Sequence, residues 1–340
     1  RRAGLLRRFP ALKELRWRAC ALADAPLQAV SGVIQSAWGR AYGDRIRIAY
    51  SPAFFRYVAA GARDPGVFTV AEDKDGVCGV LAGLPMDWDG APQAGLSATL
   101  STGLCTAARW ENSGLVELLM AMHTLHLADA GHALSFHWRA AKSRKPSGPK
   151  KRRRTESMPL FAKPLRCAEA IRWGGLSRGQ GLGLRTLALR HPVRNRLPAG
   201  MAMRVFEPGD AVDCAGFINR FQPENGLRRR FFADTLARQC TFAEGALRGA
   251  GLVFHDGHHL TGMLWGYVNP VGDGAAYFAL DGVVFHPGLT SGRRLRCLQV
   301  VEAYARDVLG CFALLVPGAV CRLPLARRGY IPVRRYTLGV

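Results

Sequence analysis

The chain has 340 residues, 49% of them hydrophobic and 9% aromatic, enough apolar side chain to bury a large core, which excludes a globally disordered polypeptide. That length predicts two domains or one composite fold rather than a single small module. Against 25 Asp and Glu stand 47 Lys and Arg, a net charge of +22, a balance that suits a polyanionic partner such as nucleic acid or an anionic membrane.

The charge is unevenly placed. Arg139 to Arg196 holds 17 Lys or Arg against Glu156 and Glu169, Arg1 to Cys20 holds seven basic residues against Glu14, and the rest of the chain is nearly neutral. A small third cluster follows at Arg322, Arg327, Arg328, Arg334 and Arg335. This is the distribution of a folded body with polyanion-binding attachments. The nine cysteines form no C-x-x-C pair, which argues against a disulfide framework or a zinc knuckle and for a reducing compartment. No apolar run reaches the length of a membrane span. The Arg-rich, acid-free start, Arg1-Arg2-Ala3-Gly4-Leu5-Leu6-Arg7-Arg8, reads either as the remnant of an organellar transit peptide or as a plain basic arm. Leu5, Leu6, Phe9, Leu12 and Leu15 in that arm can form an apolar face for an anionic lipid surface.

In chain order, the spacing of Leu27, Val30, Val33, Ile34 and Trp38 predicts a helix over 25–42, and Pro52 opens a second. Residues 67–70 and 77–84 read as a hairpin around Asp73-Lys74-Asp75-Gly76. A strand over 96–107, a helix over 114–128 and a strand over 134–138 follow. Residues 142–154 have no apolar side chain but proline, and read as a solvated insertion. The second half repeats the plan: a strand at 203–206, helices at 211–221 and 229–240, a hairpin of 251–254 with 260–268, a strand at 276–285, a helix at 293–309 and a strand at 313–316. Two copies of helix, helix, hairpin, strand, helix, strand make a duplicated α+β design.

Strand, small turn, long apolar helix and strand resemble the core of the GNAT (acyl-CoA N-acyltransferase) fold, and the details resemble N-myristoyltransferases, which are tandem GNAT units. Ala49-Tyr50-Ser51-Pro52-Ala53-Phe54-Phe55 is similar to that family's tyrosine-serine-proline start of a helix. Gly175-Leu176-Ser177-Arg178 followed by Leu184 to Arg190 is similar to its leucine-serine-arginine segment and the strand beyond. Trp17, Leu81 to Pro85 and Gly329 to Tyr336 fall in matching order. The resemblance implies a mixed α+β fold of two tandem GNAT-like units: a basic arm (1–14), a first unit (15–190) with a basic insertion (139–157), and a second unit (191–340).

The family holds the CoA pyrophosphate on a turn before a helix, where backbone N–H groups meet the phosphates. The resemblance places that turn at Glu111, Asn112, Ser113, Gly114, Leu115 and Val116, with a carboxylate at Glu111 where a cation or amide is expected. The oxyanion strand falls on Gly103 and Leu104. The family's base is its C-terminal carboxylate, and by the resemblance Val340 falls short of it. The strap over the acyl-CoA is absent or replaced by Arg1 to Phe9. These departures read as a catalytically degenerate member with no cofactor, the alternative being an active acyl-CoA-dependent N-acyltransferase.

Other chemistry is weak. His255, Asp256, His258 and His259 sit at a hairpin turn without a fourth ligand; His123 and His126 read as helix packing, Cys105 as a core residue, and Gly179 to Gly183 as a flexible connection rather than a phosphate loop. The basic segments suit RNA: Arg1, Arg2, Arg7, Arg8, Arg139, Lys142, Arg144, Lys145, Lys150, Lys151, Arg152, Arg153, Arg154, Arg172 and Arg178, with Trp138 and Trp173 for stacking. The expected role is a structural component or assembly factor of a ribonucleoprotein, an organellar (mitochondrial) ribosome with rRNA and ribosomal proteins as partners, the alternative location being the cytoplasm.

Overall fold

In the computed structural model, the described residues are 2–42, 50–64, 66–87, 97–140, 156–222, 229–272, 274–318, 321 and 323–339. The basic insertion from Lys142 to Arg154, and Arg1, lie outside them.

The first half begins with helix α1 (Arg2–Arg8) and strand β1 (Arg16–Cys20). Helices α2 (Leu27–Tyr42) and α3 (Pro52–Ala60) follow. Ser51 caps α3, its Oγ accepting the Phe54 N–H at 3.1 Å, and Pro52 stands at the first helical position, where its missing N–H costs nothing. Strands β2 (Val67–Asp73), β3 (Gly76–Met86) and β4 (Ser97–Thr106) form an antiparallel meander, helix α4 (Leu115–Asp129) crosses over, and β5 (His132–Ala140) returns parallel to β4.

Strand β6 (Glu156–Pro164), helix α5 (Cys167–Trp173) and helix α6 (Arg178–Arg190) lead to the second half. There β7 (Met201–Val205), α7 (Ala211–Phe221), α8 (Ala233–Cys240), the short β8 (Ala243–Glu244), β9 (Leu247–Asp256), β10 (His259–Gly272), β11 (Ala275–Phe285), α9 (Ser291–Asp307) and β12 (Ala313–Pro317) repeat the design, with β12 parallel to β11. The last strand, β13 (Ile331–Gly339), lies between β5 and β6. One sheet therefore runs through the molecule in the order β1-β2-β3-β4-β5-β13-β6-β12-β11-β10-β9-β7. Strand β6, from the first half of the chain, pairs with β12, and β13, from the end of the second half, pairs with β5, so the halves exchange strands.

The structure corrects one element. Leu184 to Arg190, expected as a strand, is the C-terminal part of α6, and the glycine-rich run Gly179 to Gly183, expected as a connection, is its beginning. A reciprocal cap outweighs the glycines: Ser177 Oγ accepts the Gln180 N–H and Gln180 Oε1 accepts the Ser177 N–H, which satisfies two donors the first turn would otherwise leave open. Gly181 packs closely there: a Cβ would stand 3.1 Å from Ile171 Cδ1, so that side chain would have to shift slightly to admit one. Strands β1, β6 and β13 carry no strong alternation in sequence and take their conformation from their neighbours.

The core is continuous across the halves. One buried cluster joins Tyr57, Phe55 and Phe68 of the first half to Tyr267, Tyr277 and Phe312 of the second. A second surrounds α9 beneath β9 to β12, and a third lies under α7 and α8. The fourth sits beneath α4 and is covered by Leu5, Leu6 and Phe9 of the N-terminal arm.

Candidate functional site

The parallel pair of the first half opens partway along. Residues Ser97 to Ser101 of β4 face β5, but beyond that point β4 pairs with β3 and β5 pairs with β13. At the parting β4 carries a bulge: Val80 faces Cys105 and Ala82 faces Thr102, which sets Gly103 and Leu104 together against Leu81. Gly103 has φ +65, a left-handed conformation that a bulge asks of glycine. The second half opens the same way. Pairing of β11 with β12 covers only Tyr277 to Ala279, and a bulge at Asp281 follows between Leu280 and Gly282.

The turn before α4 is held from both sides. Asn112 and Gly114 both lie in the left-handed region, at φ +60 and +77. Ser113 Oγ donates to the Trp110 carbonyl at 2.6 Å and accepts the Leu115 N–H at 3.3 Å. Arg109 grips Asp73 through Nε and Nη2 at 2.8 and 2.7 Å, and Trp110 Nε1 donates to the same carboxylate at 2.6 Å. The Arg109 guanidinium holds the Asp73 carboxyl well below the usual range. Glu111 does not stand as a bare charge beside the turn, because Arg40 pairs with it at 2.9 Å and also donates to the Thr106 carbonyl. Leu115 is buried beneath α4, whereas Val116 is 38% exposed. A Cβ at Gly114 would strike the Phe9 ring. The N-terminal arm thus lies across the mouth of α4, and its leucines are turned inward: Leu12 and Leu15 are buried, with Leu5, Leu6 and Phe9 packed against the α4 cluster. The apolar face read from sequence as a lipid contact is therefore used within the molecule.

Beneath α4 runs a buried polar chain. His123 Nδ1 meets Thr69 Oγ1 at 3.0 Å and its Nε2 meets Ser101 Oγ at 3.1 Å; Thr69 Oγ1 also meets His126 Nδ1 at 2.9 Å, and Ser101 Oγ meets Ser135 Oγ at 2.7 Å. Burial pushes His123 down to about 4, so both its nitrogens work as neutral hydrogen-bonding groups. Cys105 is buried, and burial pushes its thiol up to about 11, which suits a core residue and not a nucleophile. Asp256 pairs with Arg293 at 3.1 Å and faces His259 across the β9–β10 turn; no metal-holding cluster occurs among the described residues.

Sequence reasoning missed the bulge of the second half. Tyr57 Oη donates to Asp281 Oδ2 at 2.7 Å, and Gln239 Nε2 lies 3.5 Å away. Burial raises Asp281 to about 6, opposed by the Tyr57 hydrogen bond and the Arg229 guanidinium. A carboxylate inside the apolar run Ala279-Leu280-Asp281-Gly282-Val283 was the available signal.

Of the basic residues, Arg7 and Arg8 are exposed on α1, Arg172 is exposed and lies over the Trp173 ring at 5.3 Å, and Arg178 is exposed at the start of α6. Arg2 lies in α1, and Arg139 lies on β5 opposite Thr337; Lys142, Arg144, Lys145 and Lys150 to Arg154 fall outside the described residues. Lys163 is buried and structural, donating to the His191 and Arg328 carbonyls and standing 3.9 Å from Glu302. No helix among the described residues is long and apolar enough to cross a membrane.

No protein-family model matches the sequence, and no curated protein matches it. Solved structures do. N-myristoyltransferase of Saccharomyces cerevisiae with bound myristoyl-CoA matches at a TM-score of 0.74 and 11% identity, covering 96% of this chain and 82% of that one. A tandem GNAT protein from the clavulanic acid biosynthesis pathway matches at 0.61 and 14% identity, over 96% and 97%. A GCN5-related N-acetyltransferase from Anabaena variabilis matches at 0.51 and 11% identity, over 95% and 72%. The chain has the tandem GNAT fold of N-myristoyltransferase-like acyltransferases.

Proposed function

We propose that this protein is a non-catalytic, N-myristoyltransferase-like scaffold that binds rRNA in a ribonucleoprotein, an organellar (mitochondrial) ribosome, as a structural component or assembly factor. The observation that carries this reading is a contrast among the arginines. Many of those in the body answer carboxylates, Arg18 with Glu72, Arg40 with Glu111, Arg56 with Glu244, Arg109 with Asp73 and Arg204 with Asp210, while Arg220, Arg248 and Arg296 stand exposed singly without one among the described residues. Arg178, Arg190, Arg194 and Arg196 are exposed without a carboxylate partner among the described residues and follow one another within one short stretch, and unpaired surface arginines are what a phosphate backbone engages. The arm, with Arg7 and Arg8 outward, adds to the same surface chemistry, and the sequence from Lys142 to Arg154 supplies further cations. Sedimentation of the native protein with and without RNase is the test. Migration with a large particle that collapses on RNase treatment is expected, and Lys150 through Arg154 replaced by Ala and Ser weakens that association while the body stays folded. Migration as a free 37.0 kDa species under both conditions overturns it.

A second reading, an acyl-CoA-dependent N-acyltransferase, is favoured by the turn before α4. The left-handed Asn112 and Gly114, the parted β4 and β5, and a Glu111 neutralised by Arg40 leave a helix N-terminus suited to a diphosphate once Phe9 moves aside. Thermal stabilisation by myristoyl-CoA tests it: a ligand at a hundred times its Kd adds about 2.7 kcal/mol, and no shift at micromolar concentration rejects it.

A further inference from the structure

Helix α6 is amphipathic in an unusual way. Its inner face, Gly181 and Leu184, is buried, yet Leu182 is 68% and Leu189 83% exposed. Arg185 lies between them, three residues after Leu182 and four before Leu189, so the three side chains project along one narrow line of the outer surface. Such spacing is that of a coiled-coil seam, with leucine at one core position and arginine at the other. Arg178 continues the line at the N-terminal end, where it also belongs to the surface proposed above to meet RNA.

The occupant follows from the chemistry of that line. A helix lying on a bilayer needs an apolar stripe roughly 100° wide with cations at its margins; here the stripe is a single row and Arg185 stands inside it. RNA would engage the guanidinium and leave two leucines in water. A second copy of α6 would add its own arginines to a surface that already carries Arg185, Arg190, Arg194 and Arg196, with only Glu169 among the acidic residues from Arg166 to Arg196. We infer that the outer face of α6 docks an amphipathic helix of a partner protein, one that presents leucines to Leu182 and Leu189 and a carboxylate to Arg185. The methyl groups would be buried against the partner, and the charge-assisted contact at Arg185 would set register and reject basic helices. This docking does not depend on RNA binding.

The probe is a synthetic three-heptad peptide with leucine at one core position and glutamate at the other, titrated against the full chain by fluorescence anisotropy. The control peptide carries lysine in place of glutamate. Binding of the glutamate peptide at least about tenfold tighter than the lysine peptide is expected, with a loss of about tenfold or more in Leu182→Ser/Leu189→Ser. Arg185→Glu is expected to reverse the preference between the two peptides, a readout that mere loss of structure does not produce. Circular dichroism confirms that each variant is folded. Poly(U) RNA and phosphatidylserine/phosphatidylcholine vesicles form the other arms. No binding of either peptide, indifference to the sign of the peptide charge, or vesicle binding lost in the leucine variant without peptide binding overturns the inference.

Discussion

His123 and Asp281 are buried titratable groups with opposite effects on stability in acid. The folded state holds His123 neutral, with its affinity for a proton lowered to about 4, so the unfolded chain binds that proton more readily and stability falls as pH drops from ~6.5 toward 4. Burial lowers His126 in the same direction. Asp281 is raised to about 6, so here the folded state binds the proton more readily, and stability falls as pH rises from ~4 to 6. The two slopes oppose each other in one window. Wild-type stability from urea midpoints is therefore expected to change little between pH 4.5 and 6.5, whereas Asp281→Asn, which still accepts the Tyr57 hydrogen bond, loses up to ~2–3 kcal/mol toward acid. Equal slopes in the two proteins would show that Asp281 does not hold a proton in the fold. Lys163 and Glu302 make a second buried pair, with Tyr330 Oη donating to Glu302 at 2.7 Å. Lys163→Met alone strands a buried carboxylate and is expected to cost ~3 kcal/mol or more. Adding Glu302→Gln removes the stranded charge and restores that part of the loss by the same denaturation measurement, while the part owed to the His191 and Arg328 carbonyls that Lys163 satisfied remains.

At the level of elements, the N-terminal arm is the piece whose use changed most between sequence and structure. Its hydrophobic residues recur at helical spacing, which a lipid surface and a protein groove satisfy equally well. Phe9 resolves the choice by sitting where Gly114 lacks a side chain, with the exposed Arg7 and Arg8 turned outward. Phe9→Ala is expected to release α1 while Leu12 and Leu15 keep β1 in place. Trypsin cleavage after Arg7 and Arg8 then accelerates several-fold with little change in melting temperature, because local opening draws on few contacts; an unchanged cleavage rate would place the anchor elsewhere. Helix α6 shows the converse. Glycine content argued for a connection, and a capping box with one buried leucine face made a helix that exposes two others.

Over the whole molecule, the strand exchange makes the halves interdependent. Strand β13 is flanked by β5 and β6, and the cluster around Tyr57, Tyr267 and Tyr277 draws on both halves. Separating them would expose that cluster and leave unpaired strand edges. Calorimetry is expected to show one unfolding transition, with the calorimetric and van't Hoff enthalpies equal. Two resolved transitions would mean that each half is stable without the other's strand.

The duplicated α+β plan, the hairpins, the crossover helices α4 and α9 and the confinement of charge to two segments were legible in the chain, because hydrophobic period, turn residues and charge runs are local properties. The exchange of β6 and β13, the use of the arm against α4 and the joining of Asp281 to Tyr57 were not. Each depends on residues far apart in sequence: Tyr57 and Asp281 are separated by 224 positions, and neither carries a local sign of its partner. The candidate turn before α4 stood between. Its position followed from the strand-turn-helix order, but whether Glu111 repels or rests in an ion pair was decided by Arg40, which the fold brings across from α2.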